Sequence, residues 1–268
     1  YLAANRWNEF YVPTTITFAL STVAVTLRFV AGFVGNKKFW YDDCAAAIAG
    51  LCGIAIFIVL STIWKDVGYG RHIVVPLTTI GPDILPRLLK SFLVLELLYA
   101  TAITSSKLSI LAFLWRIFSP TTMRFWLVGI VAIAVCWQIT VVFAFIFVCV
   151  PVQAFWDLSI TDRKCLDIYK MYLGISFPNM LTDFAITLLP IPYVWMLHIS
   201  TKQKIMVGVT LFMGGATCVV SAVRLGNILK SFSLEDPTWD TVTLMKWTAI
   251  EVYCAITAVC LPTLRPLV

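Results

Sequence analysis

Seven stretches of the chain stay apolar for about 20 residues or more: approximately 12–34, 42–63, 90–117, 125–150, 169–197, 204–228 and 241–264. At 1.5 Å of rise per residue, about 20 such residues cross the hydrocarbon layer of a bilayer as one helix. The stretches are too long for strands and lack the alternation of an outer-membrane barrel. They predict seven helices, with ends placed to within about 2–4 residues. Pro178, Pro190, Pro192, Gly208, Gly214 and Gly215 interrupt them, which membrane helices tolerate when packed neighbours re-satisfy the backbone. Gly214 and Gly215 either let two helices approach closely or are simple irregularities.

The connections alternate in character. Those at 35–41, 118–124 and 198–203 are short and basic, while those at 64–89, 151–168 and 229–240 are longer and of mixed charge. One side of the expected bundle carries Arg28, Lys37, Lys38, Arg116, Arg124, Lys202, Lys204 and Arg265, against Asp42 and Asp43. The other balances its bases with Glu9, Asp66, Asp83, Asp157, Asp162, Asp167, Glu235, Asp236 and Asp240. Lys and Arg gather in cytoplasmic loops. The expected fold is therefore an all-α polytopic membrane protein, a seven-transmembrane helix bundle with its N-terminus outside and its C-terminus cytoplasmic. No linker, low-complexity segment or fixed-period repeat divides the chain, so residues 1–268 are expected to form one domain.

Composition sharpens this picture. Hydrophobic residues make up 60% and charged residues 13%, against about 25% charged in soluble domains, and mean hydropathy is +0.90. A soluble globule could not hide so much apolar surface. A water-soluble enzyme, a disordered chain and a collagen-like fibre are excluded. The net charge of +6 is scattered between apolar runs rather than gathered on one basic face, so no nucleic-acid partner is expected. His72 and His198 fall on opposite sides and no zinc spacing occurs, so no metal is expected. No P-loop, dinucleotide fingerprint or Gly-x-Ser-x-Gly elbow is present, and no cofactor is expected. Trp7, Trp40, Tyr41, Trp64, Trp115, Trp126, Trp239 and Trp247 cluster near helix ends, as in an aromatic belt.

Of eight cysteines, Cys44, Cys52, Cys136, Cys218, Cys254 and Cys260 lie in apolar runs and are expected to be small buried packers. Cys149 and Cys165 fall together on the outer side, where oxidation is permitted. A bridge would close a loop of about 15 residues, worth on the order of 3 kcal/mol; the alternative is two free thiols.

Five charged residues fall inside spanning segments: Glu96, Lys107, Asp183, Arg224 and Glu251. Each costs at least ~2.5–3.5 kcal/mol at the bilayer centre, so such groups face the bundle interior and find partners. Glu96 and Lys107 are separated along one helix by about 16 Å and cannot pair with each other. Depth suggests two polar layers. The outer one holds Glu96, Arg224 and Glu251, with Tyr99 and Asn179 nearby. The inner one is the pair Lys107 and Asp183, approached from the cytoplasm by Asp42 and Asp43. The outer layer is either a ligand pocket or a set of paired clamps. Asp42 and Asp43 also suit the N-terminus of their helix. Arg71 and His72, after a Gly-Tyr-Gly turn, either greet an anionic ligand or form a plain loop.

Several strings occur in a telling order. They are Tyr41-Asp42-Asp43, Gly68-Tyr69-Gly70-Arg71-His72, Glu96-Leu97-Leu98-Tyr99, Thr104-Ser105-Ser106-Lys107-Leu108-Ser109-Ile110 and Arg116-Ile117-Phe118. Cys149-Val150-Pro151 with Trp156 and Cys165 follows, then Asn179 with Asp183 and Pro190-Ile191-Pro192. Lys202-Gln203-Lys204-Ile205, Arg224, Glu251 and Cys260-Leu261-Pro262-Thr263-Leu264-Arg265-Pro266 complete the set. The set resembles the fungal rhodopsin-domain integral membrane family, which includes GPCR-like fungal receptors and proteins of secondary-metabolite gene clusters. Some members of that family carry an extracellular Cys-rich domain before helix one, or a long cytoplasmic tail, and neither is seen here. Either the sequence is trimmed, or this member does not signal through a tail. Tyr-Asp-Asp-Cys opens helix two where the family leads one to expect Trp-Asp-Asp-Trp.

The resemblance implies a multi-pass protein of the plasma membrane or endomembranes. As a receptor-like protein it would bind a small, apolar ligand in the bundle through Glu96, Tyr99, Asn179, Arg224 and Glu251, and would have a cytoplasmic signalling partner besides the lipid bilayer. The alternative is a membrane-embedded biosynthetic enzyme of cyclase or isomerase type, with Glu96, Asp183 or Glu251 as its acid. A transporter is disfavoured by the lack of an inverted repeat. The family name does not imply retinal: the lysine of helix seven, Lys246, lies near the outer end, where a snorkelling role is expected.

Overall fold

A computed structural model describes residues 5–35, 40–79, 81, 83–117, 122–157, 159–196, 201–231, 236 and 238–263, without the side chains of 64–66, 194–196, 201–206, 231 and 263. Lys37, Lys38, His198, Glu235 and Arg265, which entered the charge argument, lie outside the described residues, as do the side chains of Trp64, Asp66, Lys202 and Lys204. The helices are α1 (Trp7–Val34), α2 (Tyr41–Val67), α3 (Val74–Thr79), α4 (Ile84–Ile117), α5 (Met123–Ile146), α6 (Ile168–Leu188), α7 (Pro190–Met196), α8 (Thr201–Ser231) and α9 (Thr241–Cys260).

Among the described residues, six helices are long and apolar enough to cross a membrane: α1, α2, α4, α5, α8 and α9. The seventh expected helix is shorter than predicted. The stretch 169–197 divides into α6 and α7 at Leu189, where Pro190 brings no N–H for the helix ladder. With Lys170, Asn179 and Asp183 inside its 21 residues, α6 is long enough to span but has no 18-residue stretch that reaches the mean hydropathy of 1.2 met by the other six.

Burial sorts the helices. About 61% of the apolar stretch of α4 and of α9 lies inside the protein, against 22–28% for α1, α2, α5 and α8. Thus α4 and α9 form the centre. α4 packs on α2, α5 and α9, and α9 on α1 and α8, while α6 closes the ring between α5 and α8. The outer helices keep large apolar side chains exposed, such as Phe125, Val128, Ile139 and Phe143 of α5. A helix apolar all round suits lipid rather than water. The same exposure reaches Cys44 and Cys136, which face outward; Cys218 and Cys260 are buried as expected, and Cys52 and Cys254 half-buried. Trp7 is buried among Phe10 and Tyr69 rather than placed in a belt.

The end of the bundle that holds Cys149 and Cys165 is knitted by loops. Those two residues pair across a short antiparallel ladder of β1 (Cys149–Val150) and β2 (Lys164–Cys165) and form a disulfide. Asp167 then caps α6, accepting from the backbone N–H of Tyr169 and Lys170. The Lys170 N–H, first among these donors, holds the Asp167 carboxyl below its ordinary range. Nearby, Arg6 N donates to Gly70 O, and Gly70 N to Thr238 O. Gly70 sits at φ +93°, and a Cβ there would meet Trp7 N at 3.2 Å. The second glycine of Gly-Tyr-Gly is thus required by backbone shape and a close approach. His72 Nδ1 lies 2.8 Å from Asp236 Oδ2, with its ring stacked on Trp239, which makes the loop a seam between chain segments.

Of the two adjacent glycines in α8, Gly214 carries the close approach: a Cβ there would lie 2.6 Å from Thr187 Oγ1 of α6, whereas one on Gly215 meets nothing within 4 Å. Gly214→Val is expected to cost about 1–3 kcal/mol through overpacking, and Gly215→Ala to be near neutral. Thermal melting of the two variants in detergent checks this; equal melting points contradict the close contact.

Candidate functional site

The polar centre grows from one carboxylate. Glu251 lies midway along α9, at 1% exposure, where an isolated ion in the dry interior would cost several kcal/mol. Three neighbouring helices answer it. Tyr99 Oη of α4 donates to Oε2 at 2.9 Å, and Asn179 Nδ2 of α6 to Oε1 at 2.9 Å. From α8, Ser221 Oγ donates to Oε1 at 2.5 Å. Arg224 Nε of α8 lies 3.0 Å from Oε2, an ion pair whose N–H is not aligned for a hydrogen bond. The Arg224 guanidinium also covers the Tyr99 ring at 4.7 Å, a cation–π contact, and Nη2 donates to Ser176 Oγ at 3.2 Å.

Lys107 and Asp183 form the pair expected from the sequence, Nζ to Oδ1 at 3.1 Å. Lys107 Nζ also donates to Asn179 O at 2.9 Å, Asn179 Oδ1 at 2.7 Å and Thr182 Oγ1 at 2.6 Å. Its ammonium is therefore fully coordinated by α6, one turn of which folds around it.

The expected separation into two layers is corrected by Asn179 and Ser221. Asn179 takes Lys107 on its Oδ1 and gives its Nδ2 to Glu251. Ser221 Oγ lies within hydrogen-bond distance of both Asp183 Oδ2 (2.9 Å) and Glu251 Oε1. The layers are one continuous network through α4, α6, α8 and α9. Glu96 stands apart, with its Oε1 accepting from Tyr172 Oη at 2.8 Å. Tyr172, Ser176 and Ser221 were missed in the sequence because Ser and Tyr are common in membrane helices without such a role.

Asp42 and Asp43 do not approach the Lys107 pair. They belong to Arg28, which is buried at 3% exposure rather than placed at the interface. Arg28 Nη2 donates to Asp42 Oδ2 and to Asp43 Oδ1 at 2.9 Å each, Nε to Asp43 Oδ1 at 3.0 Å, and Nη1 to Val259 O at 2.7 Å. The planar guanidinium fork suits such a set. Lys246 Nζ donates to Glu9 Oε1 at the disulfide end, which ties α9 to α1.

Beside the network lies a cavity of about 30 Å³, walled by α4, α6, α8 and α9 and reached by Ser106, Lys107, Asp183, Ser221 and Glu251. That holds a water or two at about 10–15 Å³ each. A groove of about 260 Å³ between α1 and α2 is apolar, with Phe18, Val25, Leu51 and Ile256 in its wall. The hydroxyls in it, Ser21, Thr22 and Thr26, donate to carbonyls of their own helix.

The pair Lys107–Asp183 gives a direct test. Asp183→Leu leaves the ammonium buried without its counter-ion and is expected to destabilise by about 3–5 kcal/mol. Asp183→Asn keeps a carbonyl acceptor near Lys107 and should cost less. Equal melting of the two variants in detergent would count against the pair.

Long apolar helices around an ion-paired centre define a polytopic helical membrane protein. The profile of the fungal rhodopsin domain matches residues 27–268, and the chain belongs to that family, as a multi-pass integral membrane protein. Among its relatives, the polyenoic acids biosynthesis gene cluster protein Ba17b of Metarhizium anisopliae is 28% identical over 92% of this chain and 70% of its own length. Fugralins biosynthesis cluster protein 2 of Gibberella zeae is 30% identical over 63% of this chain and 44% of its own length. Receptor GIN3 of Arthrobotrys oligospora is 22% identical over 66% of this chain. The chain thus spans less than half the length of two of these relatives, 44% and 43%. No solved structure matches the chain.

Proposed function

We propose that the protein is a receptor-like seven-helix membrane protein that binds a small apolar ligand within the bundle and answers by repacking its helices. In this reading α6 is the seventh span, residues 1–268 form one domain, the disulfide end faces outside and the C-terminus is cytoplasmic. Glu96, Tyr99, Asn179, Arg224 and Glu251 line the ligand side, with Glu96 the least tied of the embedded ions. Lys107 and Asp183 carry the change toward a cytoplasmic partner.

The observation that carries the reading is the reach of Glu251. One carboxylate holds side chains of α4, α6 and α8 at once, so a ligand that shifts any partner shifts the packing of four helices. A ligand biases such an element only by binding its two arrangements unequally. The name of receptor GIN3 agrees with this reading.

The second reading is a membrane-embedded enzyme with Glu96, Asp183 or Glu251 as its acid, favoured by the relatives named for biosynthetic clusters. Against it, Glu251 and Asp183 are already engaged by donors. The purified full chain in nanodiscs, incubated with a panel of apolar fungal metabolites, separates the readings. A compound that raises the melting point and is recovered unchanged supports the receptor. A compound converted to a new product, or no shift across the panel, contradicts it.

A further inference from the structure

Ser106 is a buried polar side chain that the network leaves aside. It sits on α4 immediately before Lys107, at 1% exposure, and its hydroxyl has no hydrogen-bond partner among the described residues. A helical Ser or Thr often returns its proton to the carbonyl one turn earlier, as Thr101 and Thr257 do here. Ser106 instead borders the cavity between α4, α6 and α8, together with Lys107 and Asp183. A buried hydroxyl without a partner costs the full desolvation of the group.

We infer that this cavity is an internal water site, in which one or two water molecules bridge Ser106 Oγ to the Asp183 carboxylate and hydrate the Lys107–Asp183 pair inside the bundle. A buried water needs two to four polar partners and room for about one probe sphere. The volume of about 30 Å³ supplies the room. Asp183 supplies acceptor capacity: Lys107 takes one oxygen and Ser221 Oγ, its one proton shared between two carboxylates, lies 2.9 Å from the other, while an ionised carboxylate offers about four lone-pair sites. Ser106 supplies both a donor and an acceptor. Ile103 and Ile186 are among the apolar residues of the wall. The site does not depend on the receptor reading, since an enzyme with the same network would hold the same water.

The inference fixes the sign of a cavity-filling substitution. An apolar side chain that fills a dry void stabilises, whereas one that expels a bridging water strips Asp183 of a partner. In the full chain in nanodiscs, Ser106→Val is expected to melt several degrees below wild type and below Ser106→Ala, which removes the hydroxyl but leaves room for water on Asp183. Any other order, above all Ser106→Val at or above wild type, overturns the assignment. Because valine also crowds α4, an experimental map that resolves ordered waters decides independently. Density within about 2.5–3.0 Å of both Ser106 Oγ and the Asp183 carboxylate is expected. A cavity without density, or Ser106 Oγ bonded to a backbone carbonyl, overturns it.

Discussion

Glu251→Leu is expected to destabilise the bundle by about 3–5 kcal/mol, the cost of removing one partner of a buried ion pair. The loss comes from what is left behind. Arg224, at 2% exposure, keeps its charge in the dry interior and retains Ser176 and the Tyr99 ring as neighbours. Tyr99 Oη and Asn179 Nδ2 lose the acceptor they share, and each stranded donor adds about 1–3 kcal/mol where it finds no substitute. Glu251→Gln keeps the shape and one carbonyl acceptor, so its loss should be smaller. Chemical denaturation in detergent, or the yield of folded protein from membranes, reads both variants. A leucine variant as stable as the glutamine variant would mean that Glu251 is not the hub.

Arg28→Leu is expected to have the other large effect, again about 3–5 kcal/mol, at the far end of the bundle. It strands the Asp42 and Asp43 carboxylates together with Val259 O. Two like charges then face each other at the start of α2 with no cation in direct contact, Arg116 being the remaining one close by. Arg28→Lys should recover part of the loss, because one ammonium cannot present the planar fork that reaches three acceptors. Adding Asp42→Asn and Asp43→Asn to the leucine variant should restore stability, as removing a whole buried ion cluster is often near neutral. Melting points of the single, conservative and triple variants provide the check, and a triple variant no better than Arg28→Leu would count against the cluster.

The apolar runs made the helices legible because a bilayer admits few solutions to the backbone hydrogen-bonding problem. The cost of a bare charge in lipid marks Glu96, Lys107, Asp183, Arg224 and Glu251 as groups that must be answered, and depth along the helices pairs Lys107 with Asp183 while leaving Glu96, Arg224 and Glu251 together in one outer layer. What depth could not give was rotation about each helix axis. Asn179 faces both pairs and Ser221 touches both carboxylates, which only packing decides. Arg28, which counts among the basic residues of the cytoplasmic side, turns inward for a related reason. It stands six residues before the end of α1, a depth at which an arginine either snorkels or pairs, and Asp42 and Asp43 stood at matching depth on α2. The break at Pro190 was visible as residues, but not that the chain would stop α6 there rather than kink through it.

A double-mutant cycle on Arg224 and Glu251, with leucine at each position and in both, measured by denaturation of the protein in nanodiscs, tests most directly that embedded ions are satisfied by each other. The account predicts a coupling of about 1–3 kcal/mol, the double variant being far less damaged than the sum of the singles. Additivity within about 0.3–0.5 kcal/mol would contradict it.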